Sequence, residues 1–212
     1  MIFGTAFLGK VEDVKGHWIE TKFVIIGVPV FPISSMLVTD STFRSRKGFN
    51  IALNEKSIIA GYLRIFLAVL AVVFFVCAEH NGLFALAGIA LAMLWLYFCI
   101  GFGRANKRDA DLREKFGHTT GLYLLPQWLD GSDLYTIYEQ LDTKYNFLFG
   151  QNDWLVDLQT MTEPDERSPF LYALAYVSYV LGLSEENREM FEKADYFYTN
   201  SEYYKDKTKP II

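Results

Sequence analysis

The sequence predicts an α+β membrane protein made of a small N-terminal β-rich domain, a two-helix transmembrane hairpin and a C-terminal all-α cytosolic domain. Two long apolar stretches lie almost back to back near the middle of the 212 residues, extended-type alternation precedes them, and helix-type apolar periodicity follows them. We therefore expect a β-rich domain at 1–56, the hairpin at 57–103, an acidic helical domain at 104–204 and a disordered tail at 205–212.

The apolar stretches cover residues 58–78 and 83–103. A hydrocarbon core about 30 Å thick needs about 20 apolar helical residues, so each stretch is long enough to cross a bilayer. The polar link 79–82 is short, which predicts two antiparallel helices side by side. Buried helices of a soluble core are the alternative, but apolar stretches in such helices are usually only about 10–14 residues long.

Lysine and arginine flank the outer ends of the hairpin, and the link contains neither. Positive residues near a span are retained in the cytoplasm. We therefore expect both termini in the cytoplasm and only the turn around Glu79 and His80 on the other side. The basic residues are Arg44, Arg46, Lys47, Lys56 and Arg64 at the first span, and Arg104, Lys107, Arg108, Arg113 and Lys115 after the second.

The region before the hairpin has the alternation of β-strands, most clearly in residues 18–25 and 49–53. We expect a three- to five-stranded sheet or barrel. The uncharged segment 23–39 also allows a second interpretation, a re-entrant or interfacial membrane element. Pro29 and Pro32 disfavour a helix there, so strands are the preferred interpretation.

The region after the hairpin is acidic, with 16 Asp plus Glu against 7 Lys plus Arg in residues 116–212. This charge disfavours nucleic acid as a partner. Several short helices are expected, with Ser132, Asn152, Ser168 and Ser184 as N-caps. The domain is therefore predicted to be all-helical.

One of these helices carries a stripe of tyrosines at Tyr172, Tyr176 and Tyr179. Tyrosine is amphipathic and enriched at interfaces, so the stripe is a candidate partner surface. The plainer interpretation is a buried core helix. A third membrane span is disfavoured because the helix is short.

Arg64 is the one charge within the first apolar stretch, a turn or two from its start. A charge inside a span indicates a functional site by default, although a long side chain at this depth can reach the headgroups. Glu79 and His80 in the link are further candidates, because histidine titrates near neutral pH. They can equally mark the membrane boundary alone.

Catalytic, cofactor-binding and metal-binding motifs are absent from the sequence. The three histidines, His17, His80 and His118, fall in three different segments and lack metal-ligand spacing. We therefore expect no cofactor, no metal and no recognisable catalytic residue. A membrane-bound enzyme with a site assembled from scattered side chains stays open as a third hypothesis.

Three segments carry a resemblance: G-T-A-F-L-G-K-V at 4–11, T-K-F-V-I-I-G-V-P-V-F-P-I-S-S at 21–35 and K-S-I-I-A-G-Y-L-R at 56–64. Over about the first 65 residues the chain resembles uncharacterised small bacterial two-pass membrane proteins. The resemblance implies that the β-region and the first helix form one unit, with the proline turn near the bilayer surface, in a bacterial inner membrane. It implies no activity and no functional residue.

The leading functional hypothesis is an integral membrane scaffold or accessory subunit that binds partner proteins through its cytoplasmic domains. The alternative is a homo-oligomeric pore or transporter component, because small residues in the spans permit close helix packing. These small residues are Gly61, Ala68, Ala71, Ala85, Gly88 and Ala92. The expected partners are the lipid bilayer and either another protein or further copies of this chain.

Overall fold

The chain folds into two compact units, Met1–Asn106 and Lys107–Ile212. The computed structural model describes residues 3–42, 45–79, 81–150 and 153–206. The first unit contains a β-sheet and two long helices, and the described part of the second is helical. The predicted α+β class is therefore confirmed.

Four antiparallel strands form the N-terminal sheet in their sequence order. They are β1 (Phe3–Val14), β2 (His17–Ile26), β3 (Val28–Ser41) and β4 (Arg46–Ile51). Gly27 makes the turn between β2 and β3 with a φ of 75°, a conformation that glycine adopts without steric cost. The strand interpretation of residues 23–39 is thus confirmed, and a helix there is excluded.

The long strand β1 was not predicted as a strand. Its pairing with β2 shifts register between Leu8 and Val11 and again between Val11 and Val14. Each irregularity interrupts the two-residue alternation on which sequence prediction depends. The strand is therefore recognisable mainly from its pairing.

Two long helices follow, α1 (Glu55–Cys77) and α2 (Gly82–Ile100), and both are long and apolar enough to cross a membrane. They run antiparallel, since Trp95 near the end of α2 bonds to the backbone of Arg64 early in α1, and Phe84 lies 5.8 Å from Phe74 between ring centroids. The expected bounds shift slightly: α1 begins earlier because the Asn54 side chain accepts the Ser57 N–H and caps it.

The sheet and α1 approach each other closely at two glycines. Gly9 of β1 has a φ of 75°, and a Cβ there would overlap the carbonyl oxygen of Ser57. A Cβ on Gly61 would lie 2.8 Å from the Phe23 ring. Both positions therefore require glycine for the observed packing.

A chain of hydroxyl groups runs through this contact. The Asn54 N–H donates to Ser35 Oγ at 2.9 Å, and Thr21 Oγ1 donates to Ser57 Oγ at 2.9 Å. Ser57 Oγ in turn donates to the Gly9 carbonyl at 2.8 Å. Ser35 and Thr21 are joined at 2.8 Å, and the other bonds fix Ser35 as the donor of this pair. Each of the three hydroxyls, those of Thr21, Ser35 and Ser57, accepts one hydrogen bond and donates one.

The second unit is built around its most apolar helix. Its helices are α3 (Lys107–Thr120), α4 (Gly131–Phe149), α5 (Trp154–Thr160), α6 (Ser168–Gly182), α7 (Glu185–Asn200) and α8 (Glu202–Lys205), with a 3₁₀ turn at Pro126–Trp128. Residues 170–177 of α6 are at most 3% exposed. The helices α3, α4 and α7 pack around α6, which makes α6 the core of this unit.

The helix caps differ in part from the predicted ones. Asp130, rather than Ser132, caps α4 by accepting the Asp133 N–H at 2.8 Å. Ser168 is the first residue of α6 and not its cap, whereas Ser184 caps α7 as predicted. The predicted cap Asn152 lies outside the described residues, as do residues 207–212 of the expected tail.

Candidate functional site

Arg64 joins three elements of the first unit. Its Nε donates to the Phe98 carbonyl of α2 at 2.8 Å, and one terminal nitrogen donates to the Lys10 carbonyl of β1 at 2.8 Å. The Trp95 Nε1 donates to the carbonyl of Arg64 itself at 2.8 Å. We name these four residues, Lys10, Arg64, Trp95 and Phe98, the Arg64 junction.

The junction matches the electrostatics of a helix end. The last four carbonyls of an α-helix lack helical partners and carry the negative end of the helix dipole. Phe98 lies in that last turn, and Arg104 donates to the Ile100 carbonyl of the same turn at 3.3 Å. Arg64 therefore supplies a positive charge and a hydrogen bond where α2 needs both.

The two other candidates at the hairpin turn are placed differently. Glu79 is exposed between α1 and α2. His80 lies outside the described residues. A role for this pair in responding to pH therefore stays a prediction.

The tyrosine stripe points largely inward. Tyr172 is 0% exposed and Tyr176 is 3% exposed, so both rings pack against residues of their own unit. Tyr179 is half-buried and stacks on Phe191 of α7 with ring centroids 5.8 Å apart. Among the three predicted partner residues, Tyr179 is the one with substantial accessible surface.

A buried lysine organises the polar contacts between α3 and α7. Lys115 is 5% exposed, and its ammonium lies 3.1 Å from Asp111, 2.8 Å from Asp195 and 2.9 Å from Thr199. These contacts use all three donors of the ammonium group. Tyr204 donates to the other oxygen of Asp111 at 2.7 Å, which raises the pKa of Tyr204 to about 12. The charge of Lys115 is therefore compensated within the unit.

A cleft of about 450 Å³ opens beside this lysine. Its lining combines basic and acidic side chains of α3 and α7 with two aromatic rings. The lining includes Arg108, Asp111, Lys115, Arg188, Glu192 and Asp195, together with Tyr179 and Phe191. Tyr179 thus belongs to a mixed-charge cleft that sequence reasoning did not identify.

Burial raises the pKa of several tyrosines in this unit. The pKa of Tyr172 lies well above its usual range because desolvation disfavours the phenolate, and the same cause acts on Tyr176 and Tyr198. The Tyr198 hydroxyl has a partner in His118 Nδ1 at 2.7 Å. The Tyr172 hydroxyl is buried without a hydrogen-bond partner among the described residues.

The helices of the first unit leave a large apolar surface uncovered. The buried residues of α1 are Ser57, Ala60, Gly61, Leu67 and Ala71, and Gly88 is the one buried residue of α2. The exposed large side chains of α2 are Leu83, Phe84, Leu86, Ile89, Met93, Leu94, Trp95, Leu96, Tyr97 and Ile100. Many exposed apolar side chains on two adjacent helices are typical of a surface that contacts a membrane or another protein.

Some of the small residues expected to mediate oligomerisation are used inside the unit. Gly61 faces Phe23 of the sheet, and a Cβ on Gly88 would lie 3.1 Å from the Phe75 ring of α1. Ala71 is 6% exposed. Close packing therefore serves the contact of α1 with the sheet at Gly61 and its contact with α2 at Gly88.

Comparison with protein-family models, with curated proteins and with solved structures finds no match. The resemblance to small two-pass membrane proteins therefore stays a prediction. Among the described residues, no group of three or more His, Cys, Asp or Glu side chains is arranged to hold a metal ion.

Two features of the first unit escaped sequence reasoning. The hydroxyl chain through Thr21, Ser35 and Ser57 depends on strand register, which the sequence does not specify. The carbonyls that Arg64 bonds to belong to Lys10 and Phe98, which are 54 and 34 positions from it in the sequence. The sequence contained two signals for these features. One was a charged residue in an apolar stretch, and the other was a hydroxyl in the first turn of an apolar helix. Neither signal identifies the residue that it bonds to.

Proposed function

We propose that this protein is an integral membrane scaffold or accessory subunit. In this proposal α1 and α2 insert into the bilayer as a hairpin, and the second unit binds a partner protein in the cytoplasm. The supporting observation is the exposed apolar surface of the two helices. In water, each large apolar side chain left exposed forgoes about 1.5–3 kcal/mol of burial free energy, whereas lipid removes that cost.

The orientation in this proposal follows from the distribution of charge. Basic residues lie before α1 and after α2, and the link 79–82 has none. Both units then lie in the cytoplasm. The resemblance over the first 65 residues or so supports a bacterial inner membrane as the location.

The proposed partner surface is the cleft that contains Tyr179. Its alternating charges, Arg108 and Arg188 beside Glu192, suit a partner with polar and charged side chains, and Tyr179 adds an amphipathic ring. Tyr172 and Tyr176 contribute by holding α6 in the core. The proposal therefore assigns partner contact to Tyr179 alone within the stripe.

The experiment is extraction of the full chain from its native membrane in a mild detergent, followed by the mass and composition of the complex. We expect a stoichiometric foreign protein that is lost on Tyr179→Ser but kept on Tyr135→Ser, a control at an exposed tyrosine of α4. A homo-oligomer without a foreign protein would favour the pore or transporter hypothesis. Recovery of the chain in the soluble fraction would contradict membrane insertion itself.

A further inference from the structure

The hairpin formed by β2 and β3 is apolar on its outer surface. Its exposed large side chains are Ile26, Val28, Phe31 and Ile33. The segment 23–39 contains no charged residue. Direct cross-strand pairing joins Val24 to Phe31 and Ile26 to Val28, so apolar side chains of both strands share one face near the turn.

This hairpin lies alongside α1 rather than beyond its end. Thr21 contacts Ser57 in the first turn of α1, Phe23 packs on Gly61, and the Tyr62 hydroxyl donates to the Val30 carbonyl at 2.7 Å. Positions further along β2 therefore meet positions further along α1. The turn at Gly27 accordingly points in the direction in which α1 runs toward Cys77.

The length of α1 sets the depth of these contacts. A hydrocarbon core about 30 Å thick takes about 20 helical residues, and counting back from Cys77 places its boundary near Ile58. Gly61 and Tyr62 then lie about 5 Å inside the boundary at about 1.5 Å per residue. If the boundary lay at Arg64 instead, residues 65–77 would span only about 20 Å, which is too short.

We infer that the tip of the β2–β3 hairpin inserts into the cytoplasmic leaflet and contacts lipid acyl chains near the headgroup boundary. The inference rests on the proposed insertion of α1 and α2. Its occupant is the bilayer, because the contacts with Gly61 and Tyr62 place the tip at bilayer depth. The sheet is then part of the membrane-embedded structure rather than a separate soluble domain.

The backbone of this segment suits such a position. At membrane depth, backbone donors and acceptors must be satisfied within the protein. The Val30 carbonyl accepts from Tyr62, and Pro29 and Pro32 have no N–H to satisfy. These prolines lie in the part of β3 before Ser35, the first β3 residue that pairs with β4.

The test measures the depth of single nitroxide labels on the full chain in lipid vesicles. Cys77 and Cys99 are first replaced by alanine, and a cysteine is introduced by Phe31→Cys, with Val28→Cys as a second site on the tip. Power saturation then compares collision with oxygen, which partitions into lipid, and with a water-soluble nickel chelate. Asp40→Cys, at an exposed position of the same strand, is the matched control.

We expect oxygen to dominate severalfold at Phe31 and Val28, and the nickel chelate to dominate at Asp40. A label at Val72, an exposed residue in the C-terminal half of α1, separates the two proposals. If Val72 is in lipid and both tip labels are in water, the hairpin inference is wrong and the membrane proposal stands. If Val72 is also in water, both are wrong.

Discussion

Arg64 shows how one charged side chain can be accommodated in an apolar helix. Its guanidinium bonds to carbonyls of β1 and α2, and its own carbonyl accepts the Trp95 N–H. A planar guanidinium can address two acceptors in different directions, which a lysine ammonium on a flexible stem does less well. The residue that the sequence offered as a functional candidate thus has a defined structural task.

We expect Arg64→Ala to lower the free energy of unfolding of the first unit by about 2–4 kcal/mol, because a hydrogen bond to a charged group contributes about 1.5–3 kcal/mol. Arg64→Lys should fall between Ala and the natural residue. The measurement is SDS titration of the chain in mixed micelles, followed by circular dichroism. Arg104→Ala removes an exposed arginine at the same helix end and should cost less than about 0.5 kcal/mol. Equal effects of Arg64→Ala and Arg104→Ala would contradict the structural task of Arg64.

Two of the buried tyrosines in the second unit have hydroxyls in contrasting situations. Tyr198 bonds to His118, whereas Tyr172 has no hydrogen-bond partner among the described residues. A buried polar group without a partner destabilises the fold by about 1–3 kcal/mol. The two positions therefore make a matched pair for the same substitution.

Tyr172→Phe should raise the free energy of unfolding of the second unit by about 1 kcal/mol, since it removes an unsatisfied hydroxyl and keeps the ring. Tyr198→Phe should lower it by about 1 kcal/mol, because His118 loses a partner. Denaturant titration followed by near-ultraviolet circular dichroism measures both. Destabilisation by Tyr172→Phe would show that its hydroxyl has a favourable interaction.

At the scale of elements, the contact between the sheet and α1 depends on two glycines, which have no side chain to separate the backbones. Gly61 brings the helix against Phe23, and Gly9 brings β1 against the carbonyl of Ser57. The hydroxyl chain then satisfies the polar groups enclosed there. Close approach and internal hydrogen bonding together make the sheet and the helix one packed body.

Gly61→Ala should destabilise the first unit by about 1–3 kcal/mol, because its Cβ would overlap the Phe23 ring and overpacking costs about that much. The double variant Gly61→Ala with Phe23→Leu should recover part of the loss. Gly82→Ala, at a site with open space around the added Cβ, is the control and should be neutral or slightly stabilising. SDS titration measures all three variants. If the free-energy changes of Gly61→Ala and Phe23→Leu simply add in the double variant, the proposed overlap is ruled out.

The helical unit should lose stability at alkaline pH. Burial raises the pKa of Tyr145, Tyr172, Tyr176 and Tyr198 in the folded state, so the folded unit holds these protons more tightly than the unfolded chain does. Their contribution is complete below pH of about 10 and declines above it by about 1.4 kcal/mol per pH unit for each tyrosine. Denaturant titrations from neutral to alkaline pH measure how steeply the free energy of unfolding falls with pH. Tyr172→Phe removes one of the titrating groups and should make this slope shallower by the contribution of one proton. A flat profile would contradict the burial effect.

At the scale of the whole molecule, two units with different surfaces share one chain. The first exposes apolar helices, and the second is acidic with a mixed-charge cleft. Such a division suits a protein held in a bilayer by one unit and available to a cytoplasmic partner through the other. The orientation of the proposed hairpin decides on which side of the membrane the chain before α1 and after α2 lies.

Labelling of an engineered cysteine tests that orientation. In a chain with Cys77 and Cys99 replaced by alanine, Asn81→Cys should react with an impermeant maleimide added to intact cells, because the proposed topology places both ends in the cytoplasm with the positive residues. Asp206→Cys should react only after the membrane is permeabilised. If the cysteine at position 81 is protected and the cysteine at position 206 is labelled in intact cells, the topology is the opposite of the proposed one.

The sequence by itself determined the elements whose cause is local. Long apolar runs with a short polar link determined α1 and α2, because length and composition suffice for them. Alternation and the prolines around Gly27 determined that this segment is extended, and Ser184 was identified as a cap because an N-cap acts within one turn.

Only the tertiary structure decided the contacts between distant residues. The strand β1 needed its partner to be recognised, and the partners of Arg64 and Ser57 come from other elements. The stripe at Tyr172 and Tyr176 has the same spacing whether it faces a core or a partner, and packing around α6 placed both rings inside. Periodicity determines which residues share a face, whereas the energy of burying that face depends on what the rest of the chain brings to it.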